Sequence, residues 1–95
     1  IRIKLNFDDV FYFESHGRYI IAHTLHGEFM TRQYRLKQIL ELFPAYFEQC
    51  HKSYIVNNLY IRKYSYDNVE LDDNVILPVS RQRREEIKKS CSIGL

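Results

Sequence analysis

The strongest constraint on this chain is how often its strand-forming runs are interrupted. Val10-Phe11-Tyr12-Phe13 meets the turn signal Glu14-Ser15-His16-Gly17. Arg18 to Thr24 carries Tyr19, Ile20, Ile21 and Ala22, and His26-Gly27 breaks the chain again before Glu28 to Thr31. Aromatic and β-branched residues favour strands, while Gly and small polar residues favour tight turns. The first third therefore reads as successive hairpins. Ahead of it, Ile1 to Leu5 alternates apolar residues with Arg2 and Lys4, the period of a half-buried strand, and Asn6 to Asp9 reads as a turn.

The period changes clearly once. Leu36, Ile39, Leu40 and Phe43 fall on one helical face, which predicts a helix over 34–43 ended by Pro44. Tyr46 to Cys50 and Ile55-Val56 read as strands around the polar break His51-Lys52-Ser53-Tyr54, and Asn57-Asn58 as a loop. Ile61 to Tyr66 and Asn68 to Leu71 read as strands joined at Asp67-Asn68. Asp72-Asp73-Asn74 is a tight turn, and Val75 to Val79 returns as a strand that Pro78 places at a sheet edge or end. Ser80 suits the N-cap of a last helix over 81–90, anchored mainly by Ile87. The expected fold is mostly β, with one central helix and a short C-terminal helix; alternating β-α-β units of a parallel sheet are not indicated.

A chain of 95 residues suffices for one domain, 1–95, and is too short for two. Eight Tyr and six Phe supply large apolar area. Net charge is only +2, but it is segregated: Asp67, Glu70, Asp72 and Asp73 crowd one stretch, and Arg81, Arg83, Arg84, Lys88 and Lys89 another. Segregation builds a basic face on a nearly neutral domain. Cys50 and Cys91 form neither a CxxC nor a zinc spacing, and read as a buried apolar residue and a tail thiol. No stretch resembles a signal peptide or reaches membrane-spanning length, so no membrane partner is expected and the cytoplasm fits best. A start inside a strand-like run, without Met, reads as a fragment of a longer protein.

Three polar breaks carry the chemistry. Arg81, Arg83 and Arg84 would occupy the first turn of the last helix, where cations oppose the helix dipole unless an anion arrives. Arg81, at a strand-to-helix junction, is the first candidate for a base contact, because a guanidinium fork meets guanine O6 and N7 together. In the central break, His51, Lys52 and Ser53 can donate to phosphate oxygens, and Asn57 can pair with adenine. By itself Asn57 equally suits loop punctuation, and His51 a hydrogen-bonded structural role. His16, Gly17 and Arg18 form the third tip, and Arg32, Arg35 and Lys37 stand at the start of the central helix. The competing readings are a metal-dependent hydrolase using His23, His26 or His51, and a non-catalytic sensor or interaction module. The first lacks an HExxH or paired His-Cys spacing and a Gly-rich phosphate loop, and no feature argues for a small ligand. No cofactor or metal is expected, and no catalysis.

Four motifs then resemble the LytTR domains of bacterial response regulators. Phe11-Tyr12-Phe13-Glu14-Ser15 with Arg18-Tyr19-Ile20 resembles their opening, and Leu36 to Leu40 their central helix. Phe47 to Asn57 matches the signature F-x-x-x-H-[RK]-S-[YF]-[ILV]-V-N, and Leu77-Pro78-Val79-Ser80-Arg81 the closing motif. The resemblance implies an elongated domain of short antiparallel sheets that binds double-stranded promoter DNA, with loops inserted into successive major grooves. It implies base contacts from Arg18 (or its neighbour His16), Asn57 and Arg81. Backbone contacts would come from His16, Arg35, Lys37, His51, Lys52, Ser53, Arg83 and Arg84, and Glu14 would support loop structure. It further implies tandem direct repeats bound by two copies, as a dimer on DNA, with an upstream receiver domain and a sensor kinase. The acidic stretch Asp67 to Asp73 is expected to face away from DNA.

Overall fold

The computed structural model describes residues 4–91, and of Asp73 the backbone alone. The strands are β1 (Val10–His16), β2 (Tyr19–Thr24), β3 (Gly27–Thr31), β4 (Phe47–His51), β5 (Tyr54–Asn57), β6 (Ile61–Ser65), β7 (Asn68–Leu71) and β8 (Ile76–Pro78). The helices are α1 (Leu36–Leu42) and α2 (Arg84–Cys91), and short 3-10 turns cover Phe7–Asp9, Asn58–Tyr60, Asp72–Asn74 and Arg81–Arg83. The strands form two antiparallel sheets, a five-stranded one in the order β3-β2-β1-β5-β4 and a three-stranded one in the order β6-β7-β8. The domain is elongated, 44 × 24 × 23 Å.

The larger sheet is packed on both faces. Leu36 and Ile39 of α1 join Phe13, Ile20, Ala22, Phe47 and Ile55 in one apolar cluster. On the other face Cys50 and Val56 meet Val69, Leu71, Leu77 and Val79 of the small sheet and its flank, with Ile87 of α2. Ile87 is 0% exposed, so the thin apolar face of α2 is enough to dock it. Glu48 clamps the far end of that helix: it accepts from the Ser90 hydroxyl, and from Asn58 Nδ2 at 2.9 Å.

Several expected boundaries move for identifiable reasons. The strand expected over 1–5 lies partly outside the described residues. Lys4 to Asn6 is irregular, and Leu5 packs against the α1 cluster. The turn expected at Glu14–Gly17 shrinks to Gly17-Arg18. Glu14 is flanked by Ile21 on one side and Tyr54 on the other, so this stretch gains backbone partners from two strands. Helix α1 is shorter than the expected 34–43. Arg35 is extended, and Phe43 (φ −101, ψ 155) is held extended ahead of Pro44.

The last helix departs most. Ser80 is extended and caps nothing with its side chain; its carbonyl accepts the Arg83 N–H at 2.9 Å. The arginines lie on the preceding 3-10 turn and at the first position of α2. Glu85 and Glu86 stand in the first turn of α2, and Lys88 and Lys89 in its last. That charge order favours the helix dipole, and of the three arginines only Arg84 stands within the first turn to oppose it.

Candidate nucleic-acid interface

Antiparallel pairing puts alternate turns at opposite ends of a sheet. His16 pairs with Tyr19, so Gly17-Arg18 form a two-residue tip between β1 and β2, and Gly17 takes the left-handed φ of +61° such a turn needs. His51 pairs with Tyr54, so Lys52-Ser53 form the tip between β4 and β5. Ser65 pairs with Asn68, so Tyr66-Asp67 form the tip between β6 and β7.

Backbone hydrogen bonds link these tips in a row. Ser15 N–H donates to the Ser53 carbonyl at 2.8 Å, joining the first tip to the second. Ser80 N–H donates to the Cys50 carbonyl at 2.8 Å, bringing Arg81 beside the second. Val79 N–H donates to the Asp67 carbonyl at 2.9 Å, bringing the β6–β7 tip beside Arg81. One end of the molecule thus carries exposed His16, Arg18, Lys52 and Arg81. Arg32 joins them: it donates to the Tyr19 hydroxyl and lies 4.7 Å from the centre of the Tyr19 ring. Arg35 and Lys37 stand exposed at the start of α1, which sets out from this end because β3 finishes here.

His51 organises the middle tip. Ser53 N–H donates to His51 Nδ1 at 3.1 Å, so in the neutral ring Nε2 carries the proton and is the remaining donor. Arg83 and Arg84 are half-buried. The Arg84 guanidinium carbon lies 3.8 Å from the centre of the Tyr66 ring.

Asn57 is placed elsewhere. It is 0% exposed and ends β5, an interior strand, at the end of the sheet opposite the basic tips. Its Nδ2 donates to the Val10 carbonyl at 2.9 Å and its Oδ1 accepts from Leu59 N–H at 2.9 Å. A buried amide with both ends engaged offers nothing to a base edge, so the base contact expected of Asn57 is replaced by an internal tie between β1 and β5. The acidic stretch also divides. Asp72 lies at the far end, but Asp67 sits on the β6–β7 tip beside Arg81, against the expectation that the whole stretch faces away. The residue that sequence reasoning passed over here is Tyr66; Arg32, read with Arg35 and Lys37 at the start of the central helix, directly follows β3 and packs on Tyr19 instead. The signal for Tyr66 was the spacing of the tips: a two-residue break between paired strands, displaced by one position from Asp67-Asn68.

His23, His26 and His51 are held apart, each by its own partners. His23 Nε2–H donates to Glu14 at 2.9 Å, with Glu28 3.7 Å from Nδ1, and its ring stacks on Tyr12 at 4.1 Å. His26 Nε2–H donates to Asp9 at 3.2 Å at the far end. Among the described residues, no group of three or more His, Cys, Asp or Glu side chains could hold a metal ion. Nor, among them, is any helix long and apolar enough to cross a membrane.

One solved structure that the domain resembles is described as the LytTr DNA-binding domain of a methyl-accepting/DNA response regulator from Bacillus cereus. It superposes with a TM-score of 0.83 at 23% identity, covering 98% of this chain and 88% of that one, a likeness of fold. No curated protein matches the sequence. The family described as the LytTr DNA-binding domain matches residues 2–92, and the chain belongs to that family of DNA-binding domains.

Proposed function

We propose that this domain binds double-stranded promoter DNA sequence-specifically, as the output domain of a transcriptional response regulator, and that it does so with the end carrying Arg18, Lys52 and Arg81. The observation that carries this reading is the run of backbone hydrogen bonds from Ser15 through Ser53, Cys50 and Ser80, which brings the backbone segments bearing those residues side by side at one end. The β1–β2 and β4–β5 tips are two strand spacings apart, about 10 Å, within a major groove about 12 Å wide. The 44 Å length of the domain exceeds the roughly 34 Å of one helical turn, so a lengthwise placement reaches successive major grooves.

In this arrangement Arg18 and Arg81 read base edges, and Lys52 takes the groove position that Asn57 cannot fill. His16, His51 through Nε2, Ser53, Arg35, Lys37 and Arg83 hold phosphates and set the register. Arg84 works through Tyr66. Two copies on tandem repeats, an upstream receiver domain with its sensor kinase, and a cytoplasmic setting complete the proposal. The domain acts by binding rather than by catalysis, in keeping with His23, His26 and His51 being engaged separately.

The test is selection of bound sequences from a random duplex pool, then fluorescence anisotropy on the recovered site and a scrambled duplex. Arg81→Ala should lose about 1–3 kcal/mol on the recovered site and relax preference at one base pair. Equal loss on both duplexes would move Arg81 to the backbone. Failure of the pool to enrich any sequence would end the claim of specificity.

A further inference from the structure

The β6–β7 tip adds a contact. Resting on the DNA-binding reading above, we propose that Tyr66 donates its phenol hydroxyl to a phosphate oxygen of the duplex, with Arg84 as the positioning residue behind it.

Tyr66 holds in its hairpin the place that Lys52 holds in the next: the first of two turn residues on the same end of the molecule. It is 72% exposed, so burial does not explain a large aromatic at this position. Yet the ring is held. The Arg84 guanidinium stacks on it at 3.8 Å, and the Tyr64 hydroxyl donates to the Arg84 carbonyl at 3.5 Å, tying β6, the tip and the start of α2 together. Arg84 Nε is buried without a hydrogen-bond partner, an arrangement that costs free energy in a merely structural role. The arginine thus puts positive charge on one face of a phenol whose other parts face solvent. Tyrosine hydroxyls are ordinary donors to phosphate, and the cation behind the ring draws the anion towards it. Asp67, the neighbouring tip residue, opposes this. Its carboxylate accepts from Asn68 Nδ2 at 3.1 Å, which spends part of its acceptor capacity within the hairpin.

A neutral donor to phosphate has a distinct signature: it strengthens binding to every sequence alike and releases no counterion. The chain contains no tryptophan, so Tyr66→Trp installs a single fluorophore at the tip. Saturating this variant with either the selected or the scrambled duplex should shift its emission and reduce acrylamide quenching. Tyr66→Phe keeps the ring on Arg84 and should weaken both duplexes about three- to tenfold with the salt slope unchanged. Arg84→Gln should weaken them at least as much, and adding Tyr66→Phe to it should cost little more. If Lys52→Ala weakens binding while Tyr66→Phe binds as wild type and the tryptophan signal is indifferent to DNA, the proposal is overturned and the DNA reading stands. If the wild-type chain binds neither duplex, it is the DNA reading that is overturned.

Discussion

Asn57 shows how a single side chain changes meaning once its surroundings are known. In the sequence it is a polar residue after Ile55-Val56, at the edge of a loop, and its amide suits adenine. In the fold that amide links the Val10 carbonyl to the Leu59 N–H inside the protein. Asn57→Ala removes the buried hydrogen bond to the Val10 carbonyl and the cap on the Leu59 N–H and leaves a small void, so urea unfolding should show a loss of about 2–4 kcal/mol. The folded fraction should keep its DNA affinity; full stability with lost affinity would return Asn57 to the interface. Cys50 offers a second test at this scale. Burial pushes its thiol up from 9.0 to about 12, with Glu48 adding to the rise and Arg83 opposing it. The folded protein therefore keeps the thiol proton at pH values where an unfolded chain has lost it. The stability this group contributes is complete below the unfolded value of 9.0 and is lost as pH rises towards about 12. The slope is at most about 1.4 kcal/mol per pH unit. Unfolding measured across that window should show the decline in the wild type and a shallower one in Cys50→Ala. Tyr12, Tyr46, Tyr60 and Cys91, which burial also pushes up, act in the same direction.

At the scale of elements, the hairpin is the unit that makes this surface. Each of the three tips is closed by a strand pair immediately behind it, so Arg18, Lys52 and Tyr66 stand exposed on turns held at a fixed place. The β6–β7 tip places Asp67 among cations, where a phosphate would meet a like charge. Two unit charges about 4 Å apart in water repel by about 1 kcal/mol. Asp67→Asn should therefore tighten DNA binding about two- to fivefold at low salt, with the gain fading as salt rises, as equilibrium titrations can show. No change at any ionic strength would mean that this tip stays clear of the duplex. Much of the element order was legible in the sequence, because turn residues and the single 3.6-residue period are local signals. What was not legible depends on pairing. Glu14 to His16 look like a turn until Tyr54 arrives beside them. Ser80 looks like an N-cap until Cys50 takes its N–H. Asp67 belongs to the acidic stretch in sequence and to the basic end in space, because β7 carries the chain from one end of the sheet to the other between it and Asp72.

Over the whole molecule, a net charge of +2 conceals a polarity along the strands. Arg18, Arg32, Lys52 and Arg81 occupy one end, while Asp8, Asp9, Glu28 and Asp72 lie around the turns of the other. Strand β1, seven residues long at about 3.3 Å each, separates the two groups by roughly 20 Å. At about 0.15 M salt the Debye length is near 8 Å, so the acidic end is screened from DNA held at the basic end; at about 0.01 M it is near 30 Å and the ends interact. Neutralising Arg35 or Lys37 should therefore reduce the slope of log affinity against log salt by about 0.9 for each phosphate that the side chain had neutralised. Asp8→Asn, which keeps an acceptor for the Tyr46 hydroxyl, should leave affinity within about twofold at 0.15 M and speed association only at low salt. Stopped-flow association measured across ionic strengths separates these outcomes. If Asp8→Asn at 0.15 M strengthened binding as much as Lys52→Ala weakened it, DNA would have to run along the strands rather than across their tips, and a binding surface confined to one end would no longer describe the domain.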